Sequence, residues 1–265
     1  MDKISYLKAG RAKLKKGAGV LLAAALAFNT LTYGTAAAAL DDGGAPIPLA
    51  IGDFQFTANG ESVIFTEEEC GSDCQGHIIT QSTNAFAGRN ARILVESGSH
   101  NITFSDLTLI EAKVGVMPGG MMNLTIDGTN SISVSQGMAG IYVPVDAALV
   151  ITEQSTGSLN VSGSSGGAGI GGGFYDPDDN TGDLNCGKVI INGGTITAIG
   201  SACAAGIGGA GGDYDRPFGG NGGIVTINGG TVTATGGDDD GYYGGAGIGG
   251  GIYNGKSGSG GTLTI

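Results

Sequence analysis

One segment of the chain occurs twice, and this repetition limits the possible fold more than any other feature. The sequence VIINGGTITAIG at 189–200 returns as VTINGGTVTATG at 225–236, with nine of the twelve positions identical. The element AGIGG occurs three times, beginning at positions 168, 205 and 246. Because repeats of this size stack as supersecondary units that share one core, the sequence predicts a solenoid.

Each unit has the residue pattern of one coil of a parallel β-helix. Val225 and Ile227 alternate with a threonine, and NGG at 228–230 supplies residues that tolerate the positive φ of a corner. Val232 then lies between two threonines, and Ile248 in AGIGG is expected to face inward from a third side. The predicted fold is all-β: a right-handed parallel β-helix with Gly/Asp/Tyr-rich insertion loops, its handedness taken from the general preference for right-handed crossovers.

The units differ in length, which predicts insertions at one point of the coil. We anchor each unit on the last apolar residue of its first strand: Phe104, Ile126, Ile151, Ile191, Ile227 and Ile265. The longer units carry extra residues after AGIGG, at 174–187, 211–223 and 252–261. Residues 101–265 are therefore expected to form the repeats, and residues 40–100 the N-terminal cap and first coils. Because GGTLTI at 260–265 opens another unit, we expect the chain to be a fragment truncated at its C-terminus.

The first 39 residues have the pattern of a secretory signal peptide. Six basic residues precede an apolar run at 18–28, and small residues at 36–39 offer a cleavage site. A transmembrane anchor is the alternative, but an apolar run of about 11 residues is shorter than the ~20 that a spanning helix needs. The mature chain is therefore expected to be secreted or displayed at the cell surface, with no membrane span.

Charge narrows the classes of partner. Removing residues 1–39 leaves six basic and 23 acidic side chains, a net charge of −17. Nucleic-acid binding requires a basic surface, so this class is excluded. The same excess of carboxylates is suited to cations and keeps an exported protein soluble.

The four cysteines are expected to form disulfides if the chain is exported. Cys70 with Cys74 and Cys186 with Cys203 are the plausible pairs, although four cysteines allow three connectivities. Zinc is the alternative, but neither histidine has ligand spacing to a cysteine.

The repeat also resembles a known group of proteins. The segments TINGGTVTATGG and GAGIGGG, with GIYVP and ALVIT upstream, resemble the glycine-rich β-helix repeats of secreted and cell-surface proteins of Gram-positive gut-type bacteria. Some of those proteins are labelled carbohydrate-binding. The resemblance covers roughly 75–265 and implies the fold and a surface location, but it transfers no catalytic residue.

One insertion contains a candidate calcium site. FYDPDDNTGD at 174–183 places four oxygen-bearing side chains close together in sequence: Asp176, Asp178, Asn180 and Asp183. Alternating Asp and Asn residues are how short loops surround hard cations, although this loop lacks the glycine and glutamate of an EF-hand. A solvated acidic loop is the alternative, and calcium is the only cofactor that the sequence suggests.

Three tyrosines form the candidate ligand site. Tyr175, Tyr214 and Tyr253 each follow AGIGG by a few residues, so stacking should bring them to one side of the solenoid. Aromatic rings beside carboxylates are suited to the C–H face and hydroxyls of a sugar. Packing of the rings on their own loops is the alternative.

Catalysis is the minority interpretation. In the sequence, one cluster combines a basic residue with acidic ones: Arg216 with Asp213 and Asp215. The guanidinium of Arg216 is expected to pair with those aspartates. We therefore predict a non-catalytic protein for adhesion or carbohydrate binding at an extracellular glycan or cell-surface component. A polysaccharide lyase or hydrolase and a structural spacer are the alternatives.

Overall fold

The structure is a computed structural model that describes residues 39–40, 54–66, 76–135, 137–173, 182–239 and 243–265. All of these residues belong to one compact unit, Ala36–Ile265. Within them no helix is long and apolar enough to cross a membrane.

Most strands fall into three sheets, named PB1, PB2 and PB3 in the order in which a coil visits them; strands are numbered β1–β25 along the chain. PB1 contains β2 (Phe54–Phe56), β4 (His77–Gln81), β6 (Gly98–Ser105), β9 (Gly120–Asp127), β12 (Ala148–Ile151), β15 (Lys188–Ile191), β18 (Ile224–Ile227) and β25 (Thr262–Thr264). PB2 contains β7 (Thr108–Ile110), β10 (Thr129–Ser133), β13 (Ser158–Ser162), β16 (Thr195–Ile199) and β19 (Thr231–Thr235).

In the later coils the strands of PB3 are only two residues long. It contains β1 (Ala39–Leu40), β3 (Glu61–Phe65), β5 (Arg92–Val95), β8 (Lys113–Val116), β11 (Ile141–Tyr142), β14 (Ile170–Gly171), β17 (Ile207–Gly208) and β22 (Ile248–Gly249). Two antiparallel hairpins lie outside the sheets: β20 (Asp238–Asp239) with β21 (Tyr243–Gly244), and β23 (Ile252–Tyr253) with β24 (Lys256–Ser257).

Strand pairing shows that the chain is a parallel β-helix. Each strand of a sheet pairs with the equivalent strand of the next coil, and every pair within the three sheets is parallel except β1 with β3. Ile191 in β15, for example, lies opposite Ile151 in β12 and Ile227 in β18. This pairing confirms the predicted fold class.

Apolar side chains from all three sheets form one continuous core. Ile191 from PB1, Ile196 from PB2 and Ile207 from PB3 are fully buried and belong to the same cluster. Complete burial of such a side chain contributes roughly 1.5–3 kcal/mol. Val225 is also buried, and Val232 packs against the cluster, so the inward positions read from the repeat are confirmed.

The structure corrects one anchor of the repeat. Ile151 lies opposite Leu124, whereas the sequence pattern aligned it with Ile126. β9 is eight residues long and alternates in burial, so Leu124 and Ile126 both face inward. The last apolar residue of a strand therefore does not mark the same position in every coil.

Steric contact between coils explains the glycine that follows isoleucine in AGIGG, which is the second residue of each PB3 strand there. Gly171, Gly208 and Gly249 lie opposite one another in PB3, with φ of 135°, 140° and 144°. A Cβ on Gly208 would collide with the carbonyl oxygen of Gly249. A Cβ on Gly171 would likewise collide with the carbonyl oxygen of Gly208, so PB3 can stack here only because Gly171 and Gly208 lack a side chain.

Strand register is preserved although the loops differ in length. The late coils gain extra residues between PB3 and the next PB1 strand, in the segments 172–187, 209–223 and 250–261, and the last coil also gains residues between β19 and β22. Because all three segments leave at the same corner, those of their residues that the structure describes lie on one side of the solenoid. This side contains the candidate site.

Candidate functional site

The described residues include three of the seven predicted site residues. Tyr175, Asp176, Asp178 and Asn180 lie outside the described residues. Asp183 precedes β15, Tyr214 lies in the loop after β17, and Tyr253 ends β23.

Two of the predicted tyrosines come together. The ring centroids of Tyr214 and Tyr253 are 6.3 Å apart and their planes meet at 72°. Tyr214 is 95% exposed, whereas Tyr253 is half-buried and lies opposite Lys256 in its hairpin. We call this pair the aromatic corner. The rings are nearly perpendicular, so they form an angle open to solvent rather than a flat platform.

A tight turn presents Tyr214 to solvent. The backbone N–H of Asp213 donates to the carbonyl of Arg216 at 3.0 Å. Oδ1 of Asp213 accepts from the backbone N–H of Asp215 at 3.0 Å and of Arg216 at 2.7 Å. An aspartate that accepts two backbone donors in this way fixes a turn locally. Tyr214 lies inside this closed turn, so the backbone that carries its ring is fixed.

The Arg216 side chain ties this turn to the preceding coil. Its Nη2 lies 3.2 Å from Oδ2 of Asp213, and its Nη1 donates to the carbonyl of Gly182 at 3.2 Å. The predicted ion pair is thus confirmed for Asp213. Both side chains are partly exposed, so solvent screening keeps the pair's contribution to stability below about 1 kcal/mol.

The loops of the last two coils are hydrogen-bonded to each other. Gly219 N–H donates to the carbonyl of Lys256 at 3.0 Å, and Gly251 N–H donates to that of Gly220 at 2.9 Å. Ile252 N–H donates to the carbonyl of Cys203 at 2.9 Å. These bonds hold the hairpin of Tyr253 against the loop of Tyr214.

A ladder of side-chain hydrogen bonds runs along the base of the loops, and sequence reasoning missed it. Asn185 Oδ1 accepts from Asn221 N–H at 2.9 Å, and Asn221 Oδ1 accepts from Ser259 N–H at 2.7 Å. Each of these residues lies three positions before its PB1 strand. That common offset is the signal that could have revealed the ladder.

Asp183 is the one predicted calcium ligand within the described residues. Its Oδ1 accepts from the backbone N–H and Nδ2 of Asn185, at 2.9 and 2.8 Å. Its own N–H donates to the Tyr142 hydroxyl at 2.8 Å. No group of three or more His, Cys, Asp or Glu side chains within the described ranges could hold a metal ion. The calcium site remains a prediction.

The pairing of Cys186 with Cys203 is wrong. Both cysteines are buried, and no disulfide joins them. Cys186 lies in the apolar core just before β15, whereas the Cys203 thiol lies before β17 and donates to the carbonyl of Tyr243 at 3.5 Å. Burial, together with the negative charge of Asp183, raises the pKa of Cys186 to about 12. Cys70 and Cys74 lie outside the described residues.

A groove lies elsewhere, on the outer face of PB1. It has a volume of about 460 Å³, and its lining includes Met121, Val145 and Ile224 beside Asp146 and Lys188. Its lining contains no aromatic ring. Stacking on a sugar ring is therefore available at the aromatic corner and not in this groove.

Comparison with known proteins agrees with the fold. No curated protein and no solved structure matches the chain. Residues 189–212 and 225–252 match a family model described as a β-helix repeat. These two segments contain the PB2 and PB3 strands of the two coils that flank the aromatic corner, with most of their PB1 strands. By strand pairing and by this match, these coils are β-helix repeats.

Proposed function

We propose that this is an exported, non-catalytic β-helix protein that binds extracellular glycans through the aromatic corner. The observation that carries the proposal is the almost completely exposed ring of Tyr214, held 6.3 Å from Tyr253 by a closed turn. The secretory pattern of residues 1–39 and the acidic charge of the rest support the exported location.

The geometry suits one sugar ring at a time. The apolar C–H face of a pyranose stacks on the ring of Tyr214, and Tyr253 then contacts its edge. Two rings at 72° do not lie under neighbouring sugars of a flat crystalline chain. The corner therefore favours a chain end or a branch.

Preorganisation favours binding at this corner. The Asp213 carboxylate and the Arg216 contacts already hold the turn, so little conformational entropy is lost when a ligand docks. Carboxylates beside an apolar ring also supply the few polar groups that orient a ligand. Phe218, 57% exposed and four residues after Tyr214, adds a third aromatic side chain to the same loop.

Calcium fits this function as a loop-ordering ion. The acidic segment 174–183 belongs to the insertion just before that of Tyr214, and Gly182 accepts the Arg216 hydrogen bond. A cation bound by that segment would order the residues against which the turn rests.

Retention on polysaccharides tests the proposal. The double variant Tyr214→Ala, Tyr253→Ala should lose retention by immobilised glycans that the unchanged protein binds on a glycan array. Phe86→Ala is the matched control, because Phe86 is 63% exposed but lies in an early coil. Equal retention of the double variant contradicts the proposal. Release of shortened product would favour the lyase or hydrolase, and absence of any bound glycan would favour the spacer.

A further inference from the structure

We infer that the aromatic corner selects glycans that carry a protonated amine, such as glucosamine residues. This inference rests on the proposed function and names the ligand class for the same site. It follows from two features that occur together: two tyrosine rings set at an angle, and carboxylates adjacent to them in the turn.

The ring geometry accommodates a cation. The faces of tyrosine rings carry negative electrostatic potential and attract ammonium groups within about 6 Å of the ring centroid. Because Tyr214 is 95% exposed, an ammonium group over the open face of its ring lies within that range of its centroid, and the centroid of Tyr253 is 6.3 Å from that of Tyr214. A neutral sugar uses only the apolar contact of the same rings.

The charges around the corner favour a cation. Arg216 is balanced by Asp213 at 3.2 Å, and the exposed Asp215 follows Tyr214 directly. Lys256, opposite Tyr253, is the opposing charge in the hairpin. The insertion segments 174–187, 211–223 and 252–261, together with 236–245, contain nine aspartates and two basic residues in sequence. An excess of acidic residues in sequence concentrates cationic ligands and repels uronic acids.

Two matched ligands isolate the amine. Glucosamine and N-acetylglucosamine oligomers of equal length differ in whether the nitrogen carries a charge. We expect calorimetric titration at mildly acidic pH to give about tenfold tighter binding of the glucosamine oligomer, from one exposed cation–π contact and one carboxylate contact.

Three variants test the cause of that ratio. Tyr214→Leu keeps apolar area but removes the π face, and Asp215→Asn removes one negative charge; both should lower the ratio of the two affinities. Lys256→Gln removes the opposing charge and should raise it. A variant that only reduces the folded fraction changes both affinities equally, so the ratio separates ligand recognition from stability.

The outcomes distinguish this inference from the function on which it rests. Equal affinity for the two oligomers overturns amine selection and leaves glycan binding in place. Tighter binding of the acetylated oligomer also overturns amine selection. Absence of binding to either oligomer, together with silence on a glycan array, overturns the proposed function itself.

Discussion

Replacing Gly208 by alanine should destabilise the late coils of the solenoid. Gly208 has φ of 140°, and its new Cβ would meet the carbonyl oxygen of Gly249. That oxygen accepts the backbone hydrogen bond of Gly209 at 2.9 Å. The substitution therefore strains one residue and displaces a bond between two coils.

The magnitude follows from these two effects. Holding a non-glycine residue at such a φ costs about 1–3 kcal/mol. Loss of a hydrogen bond between coils adds about 0.5–1.5 kcal/mol. The free energy of unfolding should fall by about 2–4 kcal/mol. Because each coil contacts only its neighbours, the loss should concentrate in the coils that contain β17 and β22.

Two other glycines separate the contributions. Gly119 has φ of 87° with no atom within 4 Å of an added Cβ, so Gly119→Ala measures backbone strain alone. Gly260 is equally open and has no positive φ, so Gly260→Ala should stay within about 1 kcal/mol of the unchanged protein. Urea denaturation followed by circular dichroism gives the free energies, and hydrogen exchange locates the loss. If Gly208→Ala costs no more than Gly119→Ala, the steric explanation of AGIGG is wrong.

Three further predictions concern other parts of the site. The folded protein should lose stability as pH rises from about 9 towards 12, because the unfolded Cys186 thiol ionises first; Cys186→Ala should reduce that slope in denaturation at each pH. Asn221→Ala should cost about 1 kcal/mol in urea denaturation, since Ser259 loses its acceptor, whereas Asn221→Asp keeps an acceptor oxygen and should cost less. Calcium should release heat on titration and raise the melting temperature, and Asp183→Asn should weaken both; the absence of heat and of any thermal shift contradicts the calcium site.

The repeat predicted the fold because its signals are local. The alternation of Val225 and Ile227 with Thr226 and the burial of Ile207 follow from strand geometry, and the structure places them as the pattern indicated. Ile126 was misaligned with Ile151 because β9 continues for three residues beyond the part of it that pairs with β12. Strand length depends on how the next corner begins, which the apolar pattern does not encode.

The site was only partly accessible from sequence. Because Tyr214 and Tyr253 each follow AGIGG by a few residues, the sequence predicted that they lie on one side, and the structure brings their rings together. Their angle of 72° depends on a closed turn and a hairpin, which periodicity does not describe. The disulfide prediction for Cys186 failed because export and an even number of cysteines say nothing about which thiols point into the core.

The corner between PB3 and the next PB1 strand tolerates insertions and deletions. Leu149, Val189, Val225 and Leu263 are aligned across PB1, although 40, 36 and 38 residues separate successive members. Residues can therefore be gained or lost at that corner without shifting the strands on either side of it. Loop sequences can diverge there while the strands keep their register, and foreign loops grafted at that corner should be accepted in the same way.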